Sequence, residues 1–374
     1  MKTILITGSQ GFIGKSLKVA LQRLPEENAV KVLEFTSKDS LESLSGLVDQ
    51  ADIVFHLAGA NRPKNVEDFQ TVNCGLTQSL TESAKNSSSP PAIIFTSSTQ
   101  ATRDNDYGRS KLGAENVLTE YQSETGNPIA IYRLPNVFGK GSRPQYNTVV
   151  ATFCHNIARK QDIQVNDRSV ELTFVYIDEV VRCLISHLDA PATKEAFHDV
   201  EETFQVTLGE LADQIQTIGK VRETLKIPDL SDKFTKYLYS TYLSFLPEDD
   251  FGYDVEMRTD DRGWLFEWIK SDSLGQIFVS TTKPGITRGN HYHDTKVEKF
   301  CLIQGQGCIR FRMLDSDQVI EYPVDDKTIR VLDIPPGYTH SIENTGDQNM
   351  IVLFWANEIF NPQRPDTYWV PVIE

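Results

Sequence analysis

The sequence predicts an α/β domain with a doubly wound parallel sheet, followed by an all-β domain. From residue 3 to about 135, strand-like apolar runs alternate with helical stretches, which is the rhythm of a parallel sheet covered by helices on both faces. After about residue 247 the apolar runs are divided by turns instead. At 374 residues the chain is also longer than one hydrophobic core usually supports. We therefore predict two domains, spanning residues 1–246 and 247–374.

The parallel-sheet prediction depends on a series of apolar runs and on the helices between them. The runs are TILIT, VKVLEF, DIVFHLAG, AIIFTSS and PIAIYRLPN. Between the first two, Ile13, Leu17 and Leu21 recur at helical spacing and give the first crossover helix an apolar face. From about residue 140 to 245 the pattern is helical and irregular, with strand candidates such as VELTFVYI. We expect this part to cover the open end of the sheet.

The all-β prediction depends on strand-length runs with a period of two. In GCIRFRML, the apolar residues Ile309, Phe311 and Met313 alternate with two arginines, as in a half-buried antiparallel strand. Similar runs are GQIFVST, EKFCLIQG, IRVLDIP and NMIVLFWAN. We predict that they form a small barrel.

Composition and charge exclude several classes of function. The 39% of hydrophobic residues can fill two cores, and a formal net charge of -15 disfavours nucleic acid or an anionic membrane as a partner. The apolar runs have strand length, and Thr7 and Gly8 interrupt the first one too early for a signal peptide. The chain has five cysteines, an odd number, and none of them forms a C-x-x-C pair. This pattern suits a reducing compartment. We predict a soluble cytoplasmic protein with a small-molecule partner.

A glycine-rich segment, TGSQGFIG, follows the first strand and opens the first helix. Gly8 permits the tight turn, Gly11 lets the backbone approach a pyrophosphate, and Gly14 lets the helix pack closely on the strand. The helix N-terminus favours the negative charge of a phosphate group. The segment therefore predicts dinucleotide binding, with cofactor contacts from Gly8, Gln10, Gly11, Phe12, Ile13 and Gly14.

The G-x-x-G-x-x-G spacing resembles the extended, sugar-nucleotide-modifying branch of the short-chain dehydrogenase/reductase family, which has a Rossmann-type fold. HLAG is similar to the family's turn beneath the nicotinamide ribose, which implies cofactor contacts from Leu57, Ala58 and Gly59. YGRSK places Tyr107 and Lys111, also implied cofactor contacts, at the family's catalytic Y-x-x-x-K spacing. Because residues i and i+4 share a helix face, we expect the Lys111 ammonium to lower the pKa of Tyr107. The phenol could then exchange a proton near neutral pH.

The same resemblance implies substrate contacts. In the family, a serine or threonine at the end of the fourth strand hydrogen-bonds the substrate carbonyl; Ser98 is our candidate and Ser97 the alternative. RLPNVFGKG is similar to the branch's R-x-x-N-V-Y-G segment, which would place Asn136 near the sugar nucleotide. VNDRSVELTFVYIDEVV is similar to its nucleotide-contacting region, which makes Arg168 a candidate for the diphosphate. An ordinary surface role for Asn136 and Arg168 stays open.

Residues that differ from those of related enzymes narrow the reaction and the cofactor. The family's sugar 4,6-dehydratases carry an acidic pair just after the catalytic serine or threonine, where this chain has Thr99 and Gln100. Neither can act as a general acid or base, so we expect net reduction and not dehydration. The Thr-Ser-Lys segment at 36–38 suits a 2′-phosphate and favours NADPH, although Glu34 resembles the acidic ribose contact of NAD enzymes.

Two motifs in the second domain resemble those of the cupin family. GITRGNHYHDTKVEKFCLIQG at 285–305 has the spacing of the first cupin motif throughout. The second motif, P-x-G-x-x-H-x-x-x-N, lies at 335–344, with Ile329 in place of the glycine that normally opens it. That loss affects a turn and spares the polar residues. The resemblance implies that the all-β domain is a cupin barrel.

The cupin motifs contain a candidate metal site. Residues i and i+2 of a strand face the same way, so His291 and His293 can converge on one ion, and Glu298 and His340 would come from neighbouring strands. Three imidazoles and one carboxylate suit zinc, nickel, iron or manganese. We predict a divalent metal, with zinc as the preferred candidate, in either a catalytic or a structural role.

The order of reductase and cupin resembles the bifunctional epimerase-reductases of bacterial capsule precursor synthesis. This resemblance implies a UDP-linked 4-keto-6-deoxy-N-acetylhexosamine substrate. It implies C3 epimerisation of UDP-2-acetamido-2,6-dideoxy-L-arabino-4-hexulose in the cupin, then NADPH-dependent C4 reduction to the L-talose sugar on the route to UDP-N-acetyl-L-fucosamine. It also implies a homodimer.

Two other hypotheses stay open. One is a monofunctional NADPH-dependent 4-keto-sugar reductase whose cupin is structural or dimerising. The other is a non-enzymatic NADPH sensor, against which the intact Tyr107 and Lys111 pair argues.

Overall fold

The structure is a computed structural model that describes residues 1–61, 65–189, 196–314 and 316–373. It divides into two compact units. The N-terminal unit comprises Met1–Ile215 and Tyr237–Pro247, and the C-terminal unit comprises Gln216–Lys236 and Glu248–Glu374. The segment at 216–236 thus belongs to the second unit, and the single boundary between residues 246 and 247 stays a prediction.

The N-terminal unit is built on a parallel sheet with the strand order β2-β1-β3-β4-β5-β8. A smaller sheet has the order β6-β7-β9. The strands are β1 (Thr3–Thr7), β2 (Lys31–Phe35), β3 (Ile53–His56), β4 (Ala92–Ser98), β5 (Ile129–Leu134), β6 (Asn136–Phe138), β7 (Glu171–Tyr176), β8 (Phe197–His198) and β9 (Phe204–Thr207).

Helices pack on this sheet, and the segment at 216–236 of the second unit also contains helical residues. They are α1 (Phe12–Leu21), α2 (Leu41–Val48), α3 (Glu67–Phe69), α4 (Leu76–Asn86), α5 (Asp106–Thr125), α6 (Val149–Ile157), α7 (Ile177–Ser186), α8 (Leu208–Gly219), α9 (Val221–Thr224) and α10 (Lys233–Leu243). A π-helical turn at Gln70–Gly75 joins α3 to α4. Short 3₁₀ turns lie at Glu26–Asn28 and Thr99–Thr102.

The central strands are apolar on both faces because helices pack on both sides. Leu5, Val54 and Phe95 are fully or almost fully buried and belong to one core cluster with Leu80 of α4 and Leu118 of α5. Parallel strands that are buried on both faces read as continuous apolar runs, as the sequence shows. Their carboxyl ends meet at one edge of the sheet, where the glycine-rich turn after β1 and the end of β4 lie on either side of β3.

The C-terminal unit is all-β, with antiparallel pairing in both of its sheets. One sheet has the order β10-β11-β12-β19-β14-β17 and the other β16-β15-β18-β13-β20. The strands are β10 (Met257–Asp260), β11 (Gly263–Ser271), β12 (Gly275–Thr282), β13 (Thr287–Tyr292), β14 (Glu298–Gln304), β15 (Gln306–Met313), β16 (Val319–Asp325), β17 (Val331–Ile334), β18 (Tyr338–Asn344), β19 (Met350–Ala356) and β20 (Tyr368–Trp369).

Side chains from both sheets fill the core of this unit. Phe300, Phe354 and Ile309 are buried in one cluster, and the rings of Phe278 and Phe354 stack with centroids 4.7 Å apart. The predicted fold class, a parallel α/β sheet followed by an all-β domain, is confirmed. Among the described residues, no helix combines the length and apolar composition that crossing a bilayer requires.

Candidate functional site

The glycine-rich segment forms a turn that accepts no larger residue at two positions. Gly8 has a φ of 69°, and a Cβ there would lie 2.6 Å from the backbone nitrogen of Ala58. A Cβ on Gly14 would lie 2.5 Å from the Gly8 carbonyl oxygen. No side chain caps the N-terminus of α1 at Gly11, so its first N–H groups are available to a phosphate. The turn therefore fits a dinucleotide pyrophosphate.

A cleft of about 1060 Å³ lies beside this turn, within the N-terminal unit. It joins the predicted cofactor turn to the predicted catalytic residues. The predicted site residues that line it are Gly8, Gln10, Gly11, Phe12, Ile13, Gly14, Leu57, Gly59, Ser98, Tyr107, Lys111 and Asn136. Ala58 packs against Gly8 instead.

Tyr107 lies near the start of α5 and interacts with Ser98 at the end of β4. Burial raises the pKa of the Tyr107 phenol, and a hydrogen bond with Ser98 opposes that rise. Burial therefore outweighs any lowering of the Tyr107 pKa by Lys111, so the expected net lowering of this pKa is not found. The hydroxyl of Ser97, the alternative candidate, donates to Glu115 instead. The structure thus brings Ser98 to the phenol.

Lys111 is buried one turn further along the helix. Its ammonium donates to the Thr96 carbonyl oxygen at 3.0 Å and lies 4.7 Å from the centroid of the Phe95 ring. Burial lowers the pKa of Lys111 to about 8, against the opposing effect of Glu115. A buried amine with this pKa can change protonation state near neutral pH.

Asn73, which the sequence did not point to, lies behind two residues that line the cleft, Gly59 and Lys111. It lies in the π-helical turn and is 1% exposed. Its side-chain oxygen accepts from the Ala60 N–H at 2.7 Å, and its amide donates to the Ser110 hydroxyl at 2.8 Å. A Cβ added to Gly59 would touch both Asn73 and Lys111. No local pattern marks Asn73, because only the path of the chain brings the π-helical turn beside α5.

A buried ion pair lies behind the end of β4. The Glu115 carboxylate of α5 accepts from Nε of Arg133 at 3.0 Å and from a terminal guanidinium nitrogen of Arg133 at 2.6 Å. It also accepts from the Ser97 hydroxyl. The Glu115 side chain is 1% exposed, whereas that of Arg133 is 34% exposed and reaches the cleft. This network connects the helix that carries Tyr107 to the strand that carries Ser98.

The end of β2 carries a neutralised acidic residue. The carboxylate of Glu34 accepts from Lys18 at 2.6 Å, from the Ser9 hydroxyl at 2.6 Å and from the Gln10 amide at 3.1 Å. The Lys18 ammonium, together with Ser9, holds the pKa of the Glu34 carboxyl below its ordinary value. The carboxylate thus already accepts hydrogen bonds from three side chains.

The two residues predicted to contact the sugar nucleotide differ in position. Asn136 lines the cleft, and its amide donates to the Thr173 carbonyl oxygen at 2.9 Å. Arg168 lies outside the residues that line it, and its guanidinium donates to the Asp213 carboxylate at 2.6 Å and to the Gly209 carbonyl oxygen at 3.2 Å. The structure thus does not bring Arg168 to the cleft, because its charge is used in this surface pair.

The C-terminal unit brings His291, His293, Glu298 and His340 together. One nitrogen or oxygen atom from each lies within 4.8 Å of all the others. A bulge in β13 sets this geometry, since the register with β18 shifts between Gly289 and His291 and places His291 opposite His340. Glu298 begins β14 in the other sheet, so the expectation that it comes from a neighbouring strand is wrong.

The cluster has the donor set and the unsatisfied atoms of a metal site. Nε2 of His293 and both ring nitrogens of His340 are buried without a hydrogen-bond partner in the described part of the chain. Nε2 of His293 lies 3.3 Å from the Glu298 carboxylate. Burial costs an unpaired polar atom free energy unless a ligand satisfies it. The residues therefore fit a divalent cation of the zinc class.

The cluster's charges also suit a cation. Burial acts to raise the pKa of the Glu298 carboxyl, but the adjacent His293 and His340 imidazoles outweigh it and lower that pKa to about 2. Burial, reinforced by His340 and His293, lowers the pKa of His291 to about 4. An ionised carboxylate beside a neutral imidazole is the state in which both bind a metal.

Two family models match this chain. The NAD dependent epimerase/dehydratase family matches residues 4–201. The polysaccharide biosynthesis C-terminal domain matches residues 258–368, which include the whole histidine cluster.

Two similar proteins match nearly the whole chain, and a third matches part of it. The UDP-2-acetamido-2,6-beta-L-arabino-hexul-4-ose reductase of Pseudomonas aeruginosa is 42% identical over 365 residues, which cover 98% of this chain and 97% of that protein. The crystal structure of the capsular polysaccharide assembling protein CapF from Staphylococcus aureus aligns with a TM-score of 0.91 and 44% identity, over 99% of this chain and 100% of that chain. The UDP-glucuronic acid 4-epimerase of Bacillus cereus aligns with a TM-score of 0.51 and 21% identity, over 58% of this chain and 82% of that chain. At this identity the likeness shows the fold alone.

Proposed function

This chain belongs to the NAD dependent epimerase/dehydratase family, and from that premise we propose that it is an NADPH-dependent reductase of a UDP-linked 4-keto sugar. The substrate class is a UDP-2-acetamido-2,6-dideoxy-4-hexulose, in keeping with the name of the similar Pseudomonas aeruginosa protein. The observation that carries the proposal is the contact of Tyr107 with Ser98, one helical turn from the buried Lys111, in a cleft lined by the glycine-rich turn.

The three catalytic residues have distinct roles in ketone reduction. NADPH, when bound, supplies the hydride that C4 receives. Tyr107 donates its phenolic proton to the C4 oxygen, so the ketone becomes a hydroxyl and the phenol becomes a phenolate. The Lys111 ammonium stabilises that phenolate, and the Ser98 hydroxyl orients the carbonyl by a hydrogen bond.

The choice of NADPH rests on the end of β2. NAD enzymes of this fold use a free carboxylate there to accept the ribose 2′-hydroxyl. Here Lys18, Ser9 and Gln10 occupy the Glu34 carboxylate, and Lys18 brings a positive charge to the same place. This arrangement supports a 2′-phosphate in preference to a hydroxyl.

We further propose that the C-terminal unit is a metal-binding cupin that epimerises the sugar at C3. The four clustered residues His291, His293, Glu298 and His340 would hold the ion. A divalent metal, when bound, supplies Lewis acidity that stabilises an oxygen anion. The C3 proton of a 4-keto sugar is acidic because the resulting anion is an enolate, so its removal and return on opposite faces inverts C3. Reduction at C4 would then give the UDP-2-acetamido-2,6-dideoxy-L-talose sugar, a precursor for capsule synthesis.

One incubation tests both activities. The protein is mixed with NADPH and a UDP-4-keto-6-deoxy-N-acetylhexosamine in D₂O, and the product is examined by NMR. The proposal expects NADPH oxidation, a hydroxyl at C4 and deuterium at C3. If no NADPH is oxidised and no C4 hydroxyl forms, the proposed reductase activity is refuted.

A second candidate is a reductase whose β domain is structural or dimerising. It is favoured by the name of the similar Pseudomonas aeruginosa protein, which mentions only a reductase. C4 reduction without deuterium at C3 would select it. The homodimer stays a prediction, which light scattering on the purified protein tests.

A further inference from the structure

A C-terminal segment, residues 365–369, packs against the loop that follows the second clustered histidine. We refer to it as the strap. Its Asp366 carbonyl oxygen lies 2.5 Å from Nδ1 of His293. A carbonyl oxygen can only accept a hydrogen bond, so Nδ1 carries the proton. In the neutral imidazole, Nε2 of His293 is then the nitrogen with a lone pair for a cation, and it faces Glu298 within the cluster.

The side chain of Asp366 is hydrogen-bonded to the backbone of the loop after His293. Its carboxylate accepts from the backbone N–H groups of Asp294 at 3.0 Å, Thr295 at 3.0 Å and Lys296 at 2.7 Å. The Thr295 hydroxyl donates to the same carboxylate at 3.0 Å. These hydrogen bonds fix the loop relative to the strap.

Lys296 makes the reciprocal connection. Its ammonium is buried and donates to the Pro365 carbonyl oxygen and, at 3.3 Å, to the Thr367 hydroxyl, on either side of Asp366. Asp366 itself has a φ of 38°, in the left-handed region that non-glycine residues rarely adopt. A conformation of this kind persists only where the surroundings over-determine it. The loop and the strap thus hold each other in one arrangement.

We propose that Asp366 is a positioning residue for the metal ligand His293. Its carbonyl oxygen selects the tautomer and the ring orientation, and its carboxylate fixes the backbone from which that ring projects. This inference rests on the proposed metal site. A hydrogen-bond acceptor on the far nitrogen of a ligating histidine typically changes metal affinity by about 10- to 100-fold.

The test measures metal binding by the full-length chain. Asp366→Gly removes the carboxylate but keeps a residue that accepts a positive φ, so it separates the carboxylate from backbone strain. Asp366→Asn retains one acceptor oxygen. Asp333→Asn is the matched control, because Asp333 is an exposed aspartate of β17 that pairs only with the surface residue Lys299 among its described contacts. Zn²⁺ affinity is measured by competition with a chelator, and Co²⁺-loaded protein is examined by visible absorption at saturation.

In Asp366→Gly the loop is no longer tied to the strap by the carboxylate, so the retained carbonyl oxygen no longer holds Nδ1 of His293 in place; we expect Zn²⁺ binding to weaken by about 10- to 100-fold and the Co²⁺ spectrum at full occupancy to change. Asp366→Asn should lie between this variant and the unmodified protein, and Asp333→Asn should match the unmodified protein. Circular dichroism at saturating Zn²⁺ verifies that each variant is folded; Asp366→Asn carries the test if Asp366→Gly does not fold. Unchanged affinity and spectrum in both variants would overturn the positioning role alone. Failure of the unmodified protein to bind Zn²⁺ or Co²⁺ would overturn the metal site as well.

Discussion

The Nζ atom of Lys18 lies 2.6 Å from Oε1 of Glu34, at the end of the second strand of the parallel sheet. Lys18 belongs to α1 and Glu34 to β2, so the pair joins the two elements that would flank the adenosine end of a dinucleotide. As an exposed pair it contributes little to stability. Under the proposed NADPH specificity its importance is electrostatic, because Lys18 offsets the negative charge of Glu34 near the proposed position of the 2′-phosphate.

Replacing Lys18 should reduce the preference for NADPH. In Lys18→Met the Glu34 carboxylate loses its cation and repels a 2′-phosphate. We expect the ratio of kcat/KM for NADPH to that for NADH to fall by about tenfold, equivalent to about 1.4 kcal/mol. Lys85→Met, which breaks the exposed pair with Glu124 elsewhere on the surface, is the control and should leave the ratio unchanged. If the ratio in Lys18→Met is the same as in the unmodified protein, Glu34 does not face the cofactor.

Removal of the Tyr107 hydroxyl should abolish ketone reduction. Tyr107→Phe leaves the ring packed against Phe69 but removes the proton donor. We expect kcat for NADPH oxidation with the keto sugar to fall by about 10²- to 10⁴-fold, with NADPH binding retained in a fluorescence titration. Tyr121→Phe is the control, since it removes a buried hydroxyl from the same helix that bonds only Asn127 and Thr125 in the described structure. Substantial turnover by Tyr107→Phe would exclude the phenol as the acid.

The rate of reduction should fall above about pH 8. Burial lowers the pKa of Lys111 to about 8, so the ammonium is charged below this pH and loses its charge above it. The charged form stabilises the Tyr107 phenolate, and therefore kcat/KM should decrease with the loss of one proton as pH rises through this value. In Lys111→Arg the charge persists, and we expect the decrease to move to higher pH. The same alkaline limb in both proteins would assign it to another group.

The Glu115 network should contribute to stability. In Glu115→Gln the Arg133 fork loses its charged partner in a buried setting, and we expect the unfolding free energy to fall by about 1–3 kcal/mol. The measurement is the thermal midpoint by scanning fluorimetry. Glu120→Gln is the matched control, because Glu120 is an exposed glutamate of the same helix. Equal midpoints for the two variants would show that the network is dispensable.

Local patterns predicted several of the strands. The run AIIFTSS coincides with β4 at Ala92–Ser98, and all but the last residue of the alternating GCIRFRML lies in β15 at Gln306–Met313. These predictions succeed because a strand's period and apolarity depend on which faces are buried, and that information is local. The spacing of His291 and His293 likewise anticipated that they would share a site.

The features that the sequence did not predict depend on contacts between residues far apart in the chain. Asp366 meets His293 across 73 residues, and Arg133 meets Glu115 across 18. Arg168 has the expected residue type but turns to Asp213. Sequence periodicity defines a face of an element and says nothing of which distant element will cover it.

Replacing Glu298 in the histidine cluster should separate the two proposed activities. Glu298→Gln removes the one carboxylate of the cluster that the described residues form, while the Gln side chain preserves its size. If the bound metal stabilises the C3 enolate, exchange of the C3 proton with D₂O should fall by at least about 100-fold, since a Lewis acid typically contributes several kcal/mol to this kind of step.

Oxidation of the reduced L-talose sugar by NADP⁺ gives an independent measure of the N-terminal unit, because it starts from a sugar that needs no epimerisation. We expect Glu298→Gln to retain this oxidation, and a strong zinc chelator to reproduce the variant's loss of exchange in the unmodified protein. Glu321→Gln, a change at an exposed glutamate of β16 that pairs with Arg310, is the matched control and should keep both activities. Persistent C3 exchange in Glu298→Gln and in the chelated protein would assign the cluster a structural role, because the enolate would then form without the ion.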